Sequence, residues 1–223
     1  MNRLFLMRHG GSTANEDNTF YSLNDSAICL TTNGIKQCLA TAAALVDVTP
    51  RWKKPGDFAV EAYVSEYTRA RQTARITLDQ MKLLSLKPRI RPLLNERNYG
   101  TKYLEVMDQD ADFDANDSES GAKAKRRVVG FLREIDPVLY RADVIAFSHF
   151  GTIRALIGNL LQLSNADMMS FDIPNGGAFL FERTFDGDGK PSFSRQDLKP
   201  HVLEKTASLI RYADIAKAKK EKA

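Results

Sequence analysis

The sequence predicts a three-layer α/β/α sandwich with a mainly parallel central sheet and a small lid insertion. Three strand-length apolar runs carry this, at 4–7, 60–64 and 144–147. The first and third lack polar alternation, as strands covered on both faces do. Each run is followed by a segment of helical period, and strands alternating with helices imply βαβ units. The first run is Leu4-Phe5-Leu6-Met7. The helix predicted at 32–45 shows an apolar face of Ile35, Leu39, Ala42, Ala43 and, just beyond, Val46. After the second run, 67–84 carries Ala70, Ala74, Ile76, Leu78 and Met81. After the third, 152–163 carries Ile153, Leu156, Ile157, Leu160 and Leu161. Shorter strands are expected at 89–91 and 178–182, and a last helix at about 206–217.

With 223 residues, the chain can bury a full core without disulfides or metals. One domain over 1–223 is expected, with the lid at about 97–121. Its acidic stretch, Asp108 to Glu119, is poor in branched apolar residues. Hydrophobic residues at 43% and charged residues at 27% exclude collagenous, disordered and disulfide-scaffold classes. The net charge of +4 is too small to argue for nucleic acid. The basic run at 217–222 reads as a solvated helix end. Cys29 and Cys38 form no CxxC pair and read as two buried free thiols in a reducing compartment. The apolar run at 4–7 is too short for a signal-peptide core, and no stretch approaches the ~20 apolar residues of a membrane helix. A cytoplasmic protein without membrane or nucleic-acid partners is expected.

Each apolar run ends in polar residues of a particular kind. The first leads into Arg8-His9-Gly10-Gly11-Ser12-Thr13. The second ends at Ser65, with Arg69 one helical turn on, and the third at Ser148-His149. Ligands of open α/β sheets bind beyond the carboxyl ends of the strands, so two histidines and two arginines should converge on one crevice. Only three histidines exist, and His201 has no such setting. Guanidinium groups match phosphate oxygens in two-point fashion. Gly10 and Gly11 would let backbone N–H groups approach the anion. A histidine among cations stays neutral and nucleophilic, while a second could be protonated beside a dianion. No GxSxG, Walker loop or GxGxxG is present.

These blocks resemble the histidine phosphatase superfamily, the phosphoglycerate-mutase-like family. Arg8 to Asn15 resembles its RHGxT/S…N signature. Asp25 with Leu30-Thr31-Thr32-Asn33-Gly34-Ile35-Lys36-Gln37 resembles D…LTxxGxxQ, and Ser65 to Ala74 resembles SxxxRAxQTA. Leu94 to Gly100 resembles LxExxxG, Glu119-Ser120 with Arg127 resembles ES…R, and Ser148 to Arg154 resembles SHGGxIR. The blocks occur in family order across nearly the whole chain. The resemblance implies in-line attack by His9 to form a phosphohistidine. Arg8, Arg69 and His149 would hold the phosphoryl oxygens, and Glu96 would act as general acid and then base. Gly10, Ser12, Asn15, Tyr99 and Phe150 would complete the substrate and phosphate pocket. Neither a metal nor a cofactor is implied.

Two departures shape the expectation. Phe150 stands where the family has glycine; its N–H can still donate to phosphate while the ring narrows the pocket. Met107 stands where mutases carry a lysine, and the insertion is short and acidic. Hydrolysis of small phosphate monoesters is therefore preferred to cofactor-dependent phosphoglycerate mutase chemistry. A non-catalytic phospho-ligand module is the other alternative. Asp108, Asp110, Asp112 and Glu119 have the spacing of a calcium loop, but Phe113 replaces the turn glycine, so a solvated acidic lid is preferred.

Overall fold

The computed structural model describes residues 3–16, 25–53, 59–100, 118–169, 171–185 and 191–192. Its elements are β1 (Arg3–Arg8), a single turn α1 (Thr13–Glu16), α2 (Thr32–Val48), β2 (Ala59–Val64), α3 (Thr68–Gln80) and β3 (Arg89–Ile90). There follow α4 (Gly121–Ile135), β4 (Ala142–Ser148), α5 (Phe150–Leu160), α6 (Asn165–Met169) and β5 (Ala178–Glu182). A short hairpin pairs β6 (Thr184–Phe185) with β7 (Pro191–Ser192). The expected tail helix, His201 and the acidic stretch at 101–117, with most of the calcium-like spacing, lie outside the described residues.

The sheet order is β3-β2-β4-β1-β5. All neighbours are parallel except β5, which runs antiparallel to β1. Side chains of β1 alternate between two cores: Leu4 and Leu6 face the cluster that includes Val128, Phe131, Ile153 and Leu156 of α4 and α5. Phe5 and Met7 face the cluster that includes Leu45, Ala70 and Leu78 of α2 and α3. Both faces of β4 are covered in the same way, by Val144 and Ala146 on one side and Ile145 and Phe147 on the other. This is the α/β architecture that the unbroken apolar runs imply.

Several local expectations are corrected. In α2, Ile35 and Leu39 are each 39% exposed, while Gly34, Cys38, Thr41, Ala42, Ala44 and Leu45 are buried. The helix packs through its small residues because the loop after β1 lies directly on it: a Cβ on Gly34 would sit 1.9 Å from the Gly11 carbonyl oxygen. Cys38 is buried as expected, but Cys29 is exposed.

Helix α3 ends at Gln80, short of 84. Lys82 adopts φ +64°, and Leu83 N–H returns to Leu78 O at 2.9 Å. Gln162 (φ +52°) closes α5 in the same way, with Leu163 N–H on Gly158 O. Both stops use the left-handed position without the glycine that usually announces it.

Candidate active site

The parallel strands β2, β4 and β1 lie side by side, and their carboxyl ends carry Ser65, His149 and His9. Backbone bonds hold the ends level: His9 N–H donates to Ser148 O at 3.0 Å and Ser65 N–H to Phe147 O at 3.1 Å. The two imidazoles lie 5.1 Å apart, centroid to centroid. His9, Arg69 and His149 are all buried. The strand-end logic of the sequence thus brings Arg8, His9, Arg69 and His149 together.

His9 Nδ1 lies 2.7 Å from the Gly10 carbonyl oxygen. A carbonyl only accepts, so Nδ1 carries the proton and Nε2 the lone pair. Arg69 Nε is 3.3 Å from that Nε2. Burial first, then Arg69 and Arg8, holds His9 well below the ordinary imidazole range, with the Gly10 carbonyl pulling weakly the other way. Burial is also the first cause for His149, followed by Arg69, His9, Arg8 and Arg127, and its shift has the same direction. Both rings are therefore neutral near pH 7 in the absence of an anion.

Arg8 donates through Nη1 to Ile173 O at 2.5 Å and lies 4.9 Å from the Phe150 ring centroid. Arg154 covers Phe150 at 3.8 Å and donates through Nε to Phe171 O at 2.6 Å. The Phe150 ring is half-buried, joins the α4–α5 core and contacts two guanidinium groups. It thus packs partly into the core and partly against the Arg8 and Arg154 guanidinium groups. Arg154 was visible in the sequence only as the last letter of a motif. Burial above all lowers its pKa to about 10, with Tyr99, Asp172 and Glu96 pulling the other way and Arg8 adding to the lowering.

Glu96 Oε1 accepts N–H bonds from Arg97 at 2.7 Å, Gly151 at 3.0 Å and Thr152 at 3.2 Å. It caps α5, which therefore begins at Phe150 rather than at 152. A carboxylate suits a helix N-terminus, where unpaired amides concentrate. Among the described residues the Phe150 N–H has no internal acceptor, which leaves it open to a ligand. Gly151 is required here: a Cβ would lie 2.5 Å from the Tyr99 hydroxyl and 3.0 Å from Glu96 Oε1. Tyr99 is buried, and burial ahead of Glu96 pushes its hydroxyl far up, keeping it protonated.

The glycines after His9 have a different task from the one expected. Gly10 N–H donates to Thr73 Oγ1 at 3.1 Å and Gly11 N–H to Gln37 Oε1 at 2.8 Å. Both amides are occupied internally. What requires glycine at 10 is the approach of α2, since a Cβ there would meet Gly34 O at 2.3 Å. Ser12 is also turned inward, donating N–H and Oγ–H to Asn15 Oδ1 at 3.0 and 2.9 Å. A separate groove of about 630 Å³ runs along α3 and β3, lined by Arg71, Arg75, Leu83 and Lys87 among others, and contains none of these site residues.

The sequence pattern of the histidine phosphatase superfamily (branch 1) matches residues 4–190. The chain belongs to that superfamily. A relative, the 2,3-bisphosphoglycerate-dependent phosphoglycerate mutase of Azorhizobium caulinodans, is 29% identical over 80% of this chain and 90% of its own. The Bartonella henselae protein of that name is 28% identical over 83% of this chain and 93% of its own.

Solved histidine phosphatase folds are similar as well. A mycobacterial glucosyl-3-phosphoglycerate phosphatase with VO3 superimposes at a TM-score of 0.65, with 20% identity over 85% of this chain and 95% of its own. An Entamoeba histolytica phosphoserine phosphatase in complex with 3-phosphoglyceric acid gives 0.62, with 22% identity over 86% and 94%. Mutases thus stand among the sequence relatives of this superfamily member, and phosphatases among the solved folds similar to it.

Proposed function

We propose that the protein is a metal-independent phosphatase that hydrolyses small phosphate monoesters through a phosphohistidine on His9. The observation that carries this reading is the state of His9: its Nδ1 proton is held by Gly10 O, and its Nε2 lone pair faces Arg69. A neutral, buried imidazole with its lone pair beside guanidinium groups is an activated nucleophile placed where an anion will bind.

In this reading His9 Nε2 attacks phosphorus in line while the bond to the leaving oxygen breaks. Arg8, Arg69 and His149, with the Phe150 N–H, stabilise the charge spread over the phosphoryl oxygens. Glu96 hands a proton to the leaving oxygen. With Oε1 engaged by the helix amides, Oε2 is the oxygen that exchanges it. Water then attacks the phosphohistidine, loses its proton to Glu96, and phosphate departs with His9 restored. Tyr99 and Asn15 border the pocket.

Rapid-quench labelling with a phosphorylated substrate should trap acid-labile, base-stable phosphate on His9, and His9→Ala should abolish both label and turnover. Acid-stable label on serine would overturn the assignment. Mutase chemistry remains the second reading because curated relatives carry that name. Isomerisation of phosphoglycerate that depends on 2,3-bisphosphoglycerate and outpaces phosphate release would select it.

A further inference from the structure

The two nitrogens of His149 have opposite surroundings. Nε2 lies 2.8 Å from Ser65 Oγ, whereas Nδ1 is buried without a hydrogen-bond partner. Which nitrogen holds the proton depends on what Ser65 can offer, and that is decided two residues further out. Asn95 Nδ2 donates to Glu66 Oε2 at 2.7 Å, and a carboxylate oxygen can only accept. The Asn95 amide is therefore oriented, and its Oδ1 points back to accept Glu66 N–H and Ser65 Oγ–H, each at 2.9 Å. The single Ser65 proton is taken by Asn95. Two acceptor positions remain on Ser65 Oγ. Tyr67 N–H fills one at 3.2 Å, and His149 Nε2 fills the other.

We infer that Ser65, Asn95 and Glu66 are positioning residues that lock His149 as its Nε2–H tautomer, so that Nδ1 meets the substrate as a base and takes up one proton together with the phosphate anion. This rests on the phosphatase reading of the site. Phosphate enters, a proton from its monoanion or from solvent binds Nδ1, and the resulting Nδ1–H donates to a phosphoryl oxygen. On product release the proton leaves with phosphate. The groups around the ring favour this order. His9 at the end of β1, Arg8 beside it, Arg69 on α3 and Arg127 on α4 all oppose a charged His149 until an anion offsets them. The Tyr67 ring, 5.1 Å away in an edge arrangement, covers another side.

Long-range proton–nitrogen correlation spectra of the full chain labelled at histidine test this directly, because only three histidines contribute. In the ligand-free protein His149 should show a protonated Nε2 and a bare Nδ1. Orthovanadate, used as the phosphate probe, should protonate both nitrogens, and at a pH where the free probe is already the dianion, calorimetry in buffers of different ionisation heat should count about one proton taken up. Ser65→Ala and Asn95→Leu should give mixed tautomers, weaken vanadate about tenfold and lower the proton count. The pair Asn95→Asp with Glu66→Gln reverses donor and acceptor and should restore the tautomer.

An Nδ1–H tautomer in the unsubstituted protein would overturn the inference, and that measurement requires no variant to fold. So would a proton count indifferent to Ser65→Ala and Asn95→Leu. An intact Nε2–H tautomer without any phosphate label on His9 would keep the lock and remove the phosphatase reading.

Discussion

Replacing Phe150 with leucine isolates what its ring does for the site. The ring has Arg8 at 4.9 Å and Arg154 at 3.8 Å from its centroid, and its remaining surface joins the α4–α5 core. Leucine keeps much of that apolar contact and removes the aromatic face. A cation–π contact contributes ~0.5–1 kcal/mol when exposed and ~2 when desolvated. Two half-buried contacts therefore place the loss at about 1–2 kcal/mol. For a chain of this size that lowers Tm by roughly 2–8 °C.

Arg8 keeps its bond to Ile173 O, so its guanidinium is loosened rather than released. If about 1 kcal/mol of its ordering acts on the transition state, kcat/KM for a small aryl phosphate should fall about fivefold. Phe150→Gly removes the ring altogether. It should lower Tm further and widen acceptance of bulkier phosphates, with ~1–3 kcal/mol of selectivity at stake. Thermal melts beside steady-state kinetics on a substrate panel read both effects. A lowered Tm with kcat/KM and substrate preference unchanged for both variants would refute the claim that the ring orders Arg8 and lines the pocket.

Further outcomes follow from other parts of the site. Glu96→Gln preserves an acceptor for the α5 amides, so Tm should hold, while alkyl phosphates should slow by ~10²–10⁴ and nitrophenyl phosphate far less; equal losses would remove Glu96 from the acid role. Gly34→Ala places a Cβ 1.9 Å from Gly11 O, and overpacking of ~1–3 kcal/mol should lower Tm and displace the His9 loop; a full-rate, undisturbed variant would show that α2 yields instead. His9 and His149 are both depressed in the folded state, so the unfolded chain binds more protons below pH ~6.5. Stability should hold above that pH and decline below it, approaching about 1.4 kcal/mol per pH unit for each histidine. Chemical denaturation of His149→Gln across pH 5–8 should show a shallower acid limb than the unsubstituted chain, and an identical limb would contradict a buried neutral His149.

Much of the candidate site is legible because it is written locally. A strand that ends in Arg8-His9, another in Ser148-His149, and an arginine one turn after Ser65 need only parallel order to meet. Glu96 was found through its motif, but its seat on the Gly151 and Thr152 amides joins residues more than fifty positions apart. No periodicity reports such a contact, so the apolar spacing starts α5 at 152 whereas the helix begins at Phe150. The exposure of Ile35 and Leu39 was hidden in the same way. Apolar spacing marks a helix face, while the glycine contact of α2 with the His9 loop selects which face turns inward.

By itself the sequence determined the alternation of strands and helices, the sites where strands end and the chemical types placed there, since each depends on neighbours within a few residues. Only the tertiary structure decided the order β3-β2-β4-β1-β5 and the filling of the Gly10 and Gly11 amides by Thr73 and Gln37. It also decided the proton positions on His9 and His149. A hydrogen bond is directional and each donor serves a particular acceptor: His9 finds its acceptor on the adjacent Gly10 once the turn after β1 is shaped, and His149 only when the distant Ser65 and Asn95 are brought within three ångströms of their donors.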